Sequence, residues 1–314
     1  MAQSILVYLT HPHVDAWNFK PRHREILQEK VQDLEIHICH HSREFLEHLP
    51  QSQAAVVWYF KKEWLEKAPR LEWIATPAAG TDWIECAPGD GVKVLFGGFH
   101  GPMIAESVLG AIFYFCKAFE LSRKAQQQRK WARVKISQQI QSLYRSRVTI
   151  LGFGKIGQAI GRAIKPFGCR ITGVRRSPGG TPDYFEEGDQ VVTPSRFPEV
   201  LKETDHFILV LPGGPETSGL IGPEHFRMLP STCYLYNVGR GNVYKERHLA
   251  EALAHREIAG AYLDVFESEP LPEDSPLWIQ DNVLIQPHLS AASPQYLDLF
   301  AEELAARLLS GAGL

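Results

Sequence analysis

Three ionisable residues stand at matching places in successive strand–helix units. Arg240 follows the apolar run Cys233–Asn237, Glu269 lies just past Gly260–Leu263 in DVFESEPLP, and His288 follows Val283–Gln286. If these runs are strands of one parallel sheet, all three fall past strand C-termini, the edge where such sheets bind ligands. Taken singly, an arginine in a glycine turn is structural and a lone histidine is a satisfied surface group. Together they suit reduction of a carbonyl by a hydride donor. Negative charge builds on the oxygen as hydride reaches the carbon, and an imidazole can supply the proton. A carboxylate beside the imidazole favours its protonated form and fixes the ring. A guanidinium grips a substrate carboxylate with two charge-assisted hydrogen bonds and polarises the carbonyl. His288 is expected to be the acid, Glu269 its partner and Arg240 the substrate anchor.

The hydride donor has its own signature in Arg147–Ser177, RVTILGFGKIGQAIGRAIKPFGCRITGVRRS. The apolar run Val148–Leu151 reads as a buried strand. Gly152, Gly154 and Gly157 follow in G-x-G-x-x-G spacing, and Ile156, Ile160 and Ile164 then lie on one helical face. Pro166 and Gly168 end that helix, and a second strand runs over Cys169–Val174. In this context the first glycine permits a tight turn, the second lets the backbone approach a pyrophosphate, and the third lets helix pack on strand. The helix N-terminus offers N–H groups and partial positive charge to the phosphates. Gly152, Phe153, Gly154, Lys155, Ile156 and Gly157 are therefore the expected cofactor loop. A binder of NAD places Asp or Glu at the end of the second strand; here Arg175, Arg176 and Ser177 stand there. A guanidinium suits a 2′-phosphate, so NADP(H) is expected in preference to NAD(H).

The elements that must carry these residues alternate along the chain. Before residue 98, strands are expected at Ile5–Leu9, Leu34–Cys39, Ala54–Tyr59, Trp73–Ala75 and Lys93–Phe96, with helices at Pro21–Val31 and Ser42–Leu49. This segment lacks a glycine-rich phosphate loop. Its turn Pro77–Asp82, PAAGTD, has small residues that let a ligand approach the backbone. GGFHG at 97–101 reads as a hinge and 102–119 as a long helix. The polar stretch Leu121–Leu143, holding Trp131, leaves a domain link and a dimer contact both open. After Ser177 a loop is expected, then a helix near Arg196–Lys202, a strand at His206–Leu211, helices near Pro223–Met228 and Lys245–Ala254, and the strands already named. The order predicts an α/β protein with doubly wound parallel sheets.

Composition narrows the class. The 314 residues are 44% hydrophobic with formal net charge −3, enough for about two domains and without a nucleic-acid or membrane signal. The opening MAQSILVYLTHPH reads as a first strand, not a signal peptide. Cys39, Cys86, Cys116, Cys169 and Cys233 show no C-x-x-C spacing, which fits a reducing, cytoplasmic setting. His37, Cys39, His40 and His41 have no matching ligand cluster elsewhere, so they read as a strand end with exposed histidines and no metal is expected.

These pieces resemble the D-isomer-specific 2-hydroxyacid dehydrogenase family. The matching stretches are Leu151–Ala163, Leu211–Ile221 (LPGGPETSGLI), Leu235–Gly241 (LYNVGRG), Ala261–Pro272 and Gln286–Ser293 (QPHLSAAS), roughly half the chain. PAAGTD is similar to the family's substrate loop and IAES (Ile104–Ser107) to the start of its interdomain helix. The resemblance implies two Rossmann-like domains with the active site in their cleft. The substrate domain would be 1–98 plus 288–314 and the dinucleotide domain 99–287. By position, Arg240, Glu269 and His288 match the catalytic trio, and Ala79 and Gly80 match backbone contacts to the substrate carboxylate. Leu211, Pro212, Thr217, Val238, Gly239, Arg240, His288 and Ser290 would line the cofactor, and Asp264 would meet the nicotinamide carboxamide. A homodimer through the nucleotide domain is also implied. SPLW (Ser275–Trp278) with Arg175 and Arg176 is most similar to the NADPH-linked glyoxylate/hydroxypyruvate reductases, whose substrates are small 2-oxo acids. FHGPM at 99–103 departs from the family pattern before the AE pair and leaves substrate size open. The competing reading is a nucleotide-sensing corepressor-like module on the same fold. A formate dehydrogenase would lack Glu269.

Overall fold

A computed structural model describes residues 4–86, 91–177 and 179–311. The chain divides into two compact units, 1–100 with 292–314, and 101–291.

The first unit holds strands β1 (Ser4–Tyr8), β2 (Glu35–Ile38), β3 (Ala54–Val57), β4 (Trp73–Thr76) and β5 (Lys93–Phe96). They form one parallel sheet in the order β2-β1-β3-β4-β5. Helix α1 (Pro21–Lys30) starts with a proline at its head, where the missing N–H costs nothing. Helix α2 (Ser42–His48) follows β2. The central strands β3 and β4 are buried along their whole length, as a sheet covered on both faces requires.

The second unit opens with α3 (Gly101–Cys116), so the last glycine of the expected hinge is already helical. That helix stops three residues short of the expected end. Ala118 takes a left-handed φ of 51° and turns the chain by 61° into α4 (Phe119–Gln127). A short α5 (Arg133–Ser137) follows, so helix covers only parts of Leu121–Leu143. Among the described residues no single helix is long and apolar enough to cross a membrane.

Strands β6 (Arg147–Leu151) and β7 (Arg170–Val174) flank α6 (Lys155–Ile164). Beyond them lie β8 (Gln190–Val192), α7 (Phe197–Leu201), β9 (His206–Leu209), α8 (Pro223–Met228), β10 (Tyr234–Asn237), α9 (Glu246–Ala254), β11 (Gly260–Leu263) and β12 (Val283–Ile285). All pair in parallel, in the order β12-β11-β10-β9-β6-β7-β8. The order reverses between β6 and β9, and that switch point opens the ligand crevice of such sheets. Strand β8 was not expected. It is three residues long at the sheet edge, and the Asp189 carboxylate beside it accepts the Ile171 N–H (2.8 Å) from β7. The last helix, α10 (Tyr296–Ser310), belongs to the first unit.

Candidate active site

The glycine turn leaves β6 at the switch point. Gly152 has φ +95°, and a Cβ there would lie 2.4 Å from the Val210 carbonyl oxygen. The N–H groups of Gly152 and Phe153 both donate to Val174 O (3.1 and 3.0 Å), tying the turn to β7. The Phe153 ring is fully buried against Gly173, so Phe153 offers the turn its backbone. A Cβ on Gly157 would meet Gly152 O at 2.6 Å, which is the close helix–strand contact expected of the third glycine. A Cβ on Gly154 would meet nothing within 4 Å. That glycine is the N-cap of α6, whose first bond runs from Gln158 N–H to Gly154 O (2.9 Å). The amides of Lys155, Ile156 and Gly157 therefore head the helix ahead of its hydrogen-bond ladder. Open space over one glycine, beside amides and the positive helix end, fits a dinucleotide pyrophosphate.

The groups at the end of β7 have partners within their own unit. Arg175 is half-buried and donates from Nη2 to Gly180 O (2.9 Å). Arg176 is exposed and pairs with Glu216 at 2.5 Å, and Ser177 is exposed.

The remaining expected residues lie on loops past β9, β10, β11 and β12. After β9, Leu211 and Pro212 lead a turn closed by the Thr217 hydroxyl, which donates to Pro212 O (2.7 Å). After β10 comes buried Val238. A Cβ on Gly239 would lie 2.6 Å from Leu211 O, so the two loops are in contact. Asn237 was missed from sequence. Fully buried, it donates from Nδ2 to Arg240 O (3.0 Å) and accepts the Gly239 N–H (3.1 Å), which fixes the turn that presents Arg240. The Arg240 guanidinium also folds back to donate to Gly239 O (2.8 Å).

Glu269 and His288 are brought together. His288 Nδ1 lies 2.7 Å from Glu269 Oε2, while Glu269 Oε1 accepts the Phe266 N–H (3.0 Å). Burial pushes the Glu269 carboxyl up. The His288 hydrogen bond and charge, the Phe266 amide and the nearby Arg240 charge outweigh it and hold the group below its usual value. His288 itself has φ +52°, a left-handed conformation that costs a histidine energy. Its N–H donates to Asp264 O (2.8 Å) and Gln286 O (3.1 Å). Asp264 is fully buried, and its carboxylate accepts the N–H groups of Leu289 (2.8 Å) and Ser290 (3.0 Å). Burial, the largest influence, raises its pKa despite those donors. Asp264, expected at a nicotinamide carboxamide, also holds the loop that carries His288. Ser290 is buried, and its carbonyl accepts the Ser107 hydroxyl (2.9 Å).

Ala79 and Gly80 belong to the first unit, on the turn after β4, with Ala79 exposed. The base of that turn is held by Ala78 N–H to Thr76 Oγ1 (3.2 Å), Gly97 N–H to Ala78 O (3.1 Å) and the Tyr296 hydroxyl to Pro77 O (3.3 Å).

Residues 109–290 match the family model described as "D-isomer specific 2-hydroxyacid dehydrogenase, NAD binding domain". The chain is 37% identical over 171 residues to a glyoxylate reductase of Korarchaeum cryptofilum, covering 54% of this chain and 49% of that protein. It is 34% identical over 172 residues to the human glyoxylate reductase/hydroxypyruvate reductase, covering 54% and 51%. The matched region thus spans about half the length of the curated relatives. A Xanthobacter autotrophicus D-isomer specific 2-hydroxyacid dehydrogenase, solved in complex with NADPH and MES, superposes with a TM-score of 0.81 at 27% identity, covering 99% of this chain and 96% of that one.

Proposed function

Since the chain belongs to the D-isomer specific 2-hydroxyacid dehydrogenase family, we propose that it reduces a small 2-oxo acid, of the glyoxylate or hydroxypyruvate kind, to the D-2-hydroxy acid with NADPH. The observation that carries this reading is the 2.7 Å pair of His288 and Glu269, set with Arg240 past strand ends of the sheet whose switch point holds the glycine turn. A nicotinamide bound there would supply the hydride. The turn Gly152–Gly157 and the amides of Lys155 and Ile156 would hold its phosphates, with Leu211, Pro212, Thr217, Val238 and Gly239 on the neighbouring loops. His288 delivers the proton to the carbonyl oxygen from Nε2, since Nδ1 faces Glu269. Glu269, 2.7 Å from Nδ1, fixes the ring. Arg240 anchors the substrate carboxylate.

Arg175 supports the phosphorylated cofactor: a guanidinium sits where an NAD site has a carboxylate. Arg176 would leave or share Glu216 to join it. The relative in complex with NADPH is in keeping with this choice. Phe119, Trp131, Val134, Ile140 and Tyr144 are exposed within 119–144, with Trp131 at 86%. This apolar surface suits a homodimer, which light scattering would test.

The direct test follows loss of reduced-nicotinamide absorbance with NADPH and NADH in parallel on glyoxylate, hydroxypyruvate, pyruvate, phenylpyruvate and 2-oxoisocaproate. Turnover with NADPH on the small acids is expected, and Arg175→Asp should erase the preference over NADH. Tight NADPH binding without turnover on any acid would reject the reductase reading in favour of a sensing role.

A further inference from the structure

We propose that His37, Cys39 and Glu44 form a binding site for a divalent cation of the zinc type. Their candidate donor atoms all lie within 4.8 Å of one another. Tetrahedral zinc, with bonds of about 2.0–2.3 Å, holds its ligands roughly 3.3–3.8 Å apart. Closure of up to about 1 Å between the donor atoms would complete the geometry.

Local structure brings the three together. His37 and Cys39 are two residues apart along β2 and its continuation, so both side chains leave the same face of the sheet. Cys39 N–H extends the pairing by donating to Val7 O (2.8 Å). The chain then turns into α2 through a reciprocal cap. The His41 ring accepts the Glu44 N–H (3.1 Å), and the Glu44 carboxylate accepts the His40 N–H (2.8 Å). This cap aims Glu44 back at the strand end. From sequence alone the histidines lacked a ligand cluster, because nothing local marks Glu44 as folding back.

One further observation points to a ligand. Cys39 is 1% exposed, yet its sulfur has no hydrogen-bond partner among the described residues. The other buried cysteines do: Cys116 with His206 Nε2 (3.8 Å), Cys169 with Ile164 O (3.5 Å) and Cys233 with Tyr234 O (3.6 Å).

The donor set chooses the metal. Thiolate and imidazole suit zinc, cobalt, nickel or copper and not calcium or magnesium. Thiolate and carboxylate together balance a dication. Binding forms a metal–sulfur bond, and the Cys39 S–H proton passes to solvent. The bound ion would tie edge strand β2 to the head of α2. The site shares no residue with Arg240, Glu269 and His288, so it stands or falls apart from the reductase reading.

The test uses the full chain, free of any affinity tag and dialysed against EDTA, titrated with Co²⁺ and then Zn²⁺. One Co²⁺ per chain with a sulfur-to-cobalt charge-transfer band, displaced by Zn²⁺, is expected. His37→Ala, at an exposed position, should weaken Co²⁺ binding at least tenfold, and Cys39→Ser should abolish the band. If Cys39→Ser does not fold, His37→Ala alone decides. No charge-transfer band, or one titrating identically in His37→Ala, would overturn the proposal.

Discussion

The three glycines of the nucleotide turn are alike in sequence and unlike in structure, so alanine should separate them. On Gly157 the added methyl would sit 2.6 Å from Gly152 O and 3.3 Å from Ile150 Cγ2, against backbone that cannot swing aside. Overpacking of this kind costs about 1–3 kcal/mol. On Gly152 the methyl would lie 2.4 Å from Val210 O at a φ of +95°, which adds about 1–3 kcal/mol of backbone strain. On Gly154 the φ is −85° and nothing lies within 4 Å. There the loss of a good N-cap, up to about 1 kcal/mol, is offset by about 0.4–1 kcal/mol of reduced unfolded-state entropy. With a shift of about 2–4 °C per kcal/mol, Gly157→Ala should lower the melting temperature by roughly 2–12 °C, Gly152→Ala by roughly 4–24 °C, and Gly154→Ala by less than about 2 °C. Cofactor affinity should run the other way. The Gly154 methyl occupies the space proposed for a phosphate oxygen, and losing one charge-assisted hydrogen bond of about 1.5–3 kcal/mol weakens binding tenfold or more. Thermal unfolding by circular dichroism without cofactor gives the first quantity, and NADPH fluorescence titration gives the second. Gly154→Ala with near-normal NADPH affinity, or as unstable as Gly157→Ala, would refute the reasoning.

His288→Ala should lower turnover by about 10²–10⁴-fold while leaving NADPH affinity within a few-fold; unchanged turnover across pH would remove it as the acid. Arg240→Ala should raise the apparent substrate constant and lower turnover together, as steady-state kinetics on the best 2-oxo acid would register. Glu269 has a folded pKa below its ordinary 4.5. Its pairing therefore contributes fully above that value and is lost as pH falls through the folded one. Glu269→Gln should flatten this acid limb in urea unfolding and lower turnover near neutrality. His206, buried between Tyr236 and Cys116, is pushed down from 6.5 to about 4 by desolvation. The unfolded chain then binds the extra proton between those values, so stability falls as pH drops from 6.5 to 4, by up to about 3 kcal/mol. A His206→Gln variant with the same pH slope would show that another group carries it.

Much of the nucleotide unit was legible because its signals are local. Gly152, Gly154 and Gly157 stand between an apolar run and a helical face, and β10, β11 and β12 end close to where Arg240, Glu269 and His288 were expected. Signals that depend on distant partners were not legible. Strand β8 has three residues and exists through its pairing with β7. The break after α3 falls on Ala118, a residue type that does not announce a left-handed turn. The Asp264 carboxylate also accepts the N–H groups of Leu289 and Ser290, some 25 residues further on, which no local pattern foresees. Arg176 meets Glu216 forty residues away, and no spacing rule foresees that pair. Asn237 sits inside a motif whose arginine drew the attention, while the amide that orients the turn is its neighbour.

The division of the chain has a bearing on how it is made. Residues 101–291 are contiguous, whereas the first unit is interrupted by them and resumes at residue 292. Helix α10 closes that unit: Arg22 of α1 meets Asp298 at 2.9 Å and donates to Pro294 O (2.9 Å), while buried Tyr296 reaches Pro77. On a ribosome working from the N-terminus, the nucleotide unit has its whole sequence before α10 emerges. The first unit begins before the second and is completed after it. Until α10 arrives, the surface it covers on α1 stays open to water and to chaperones.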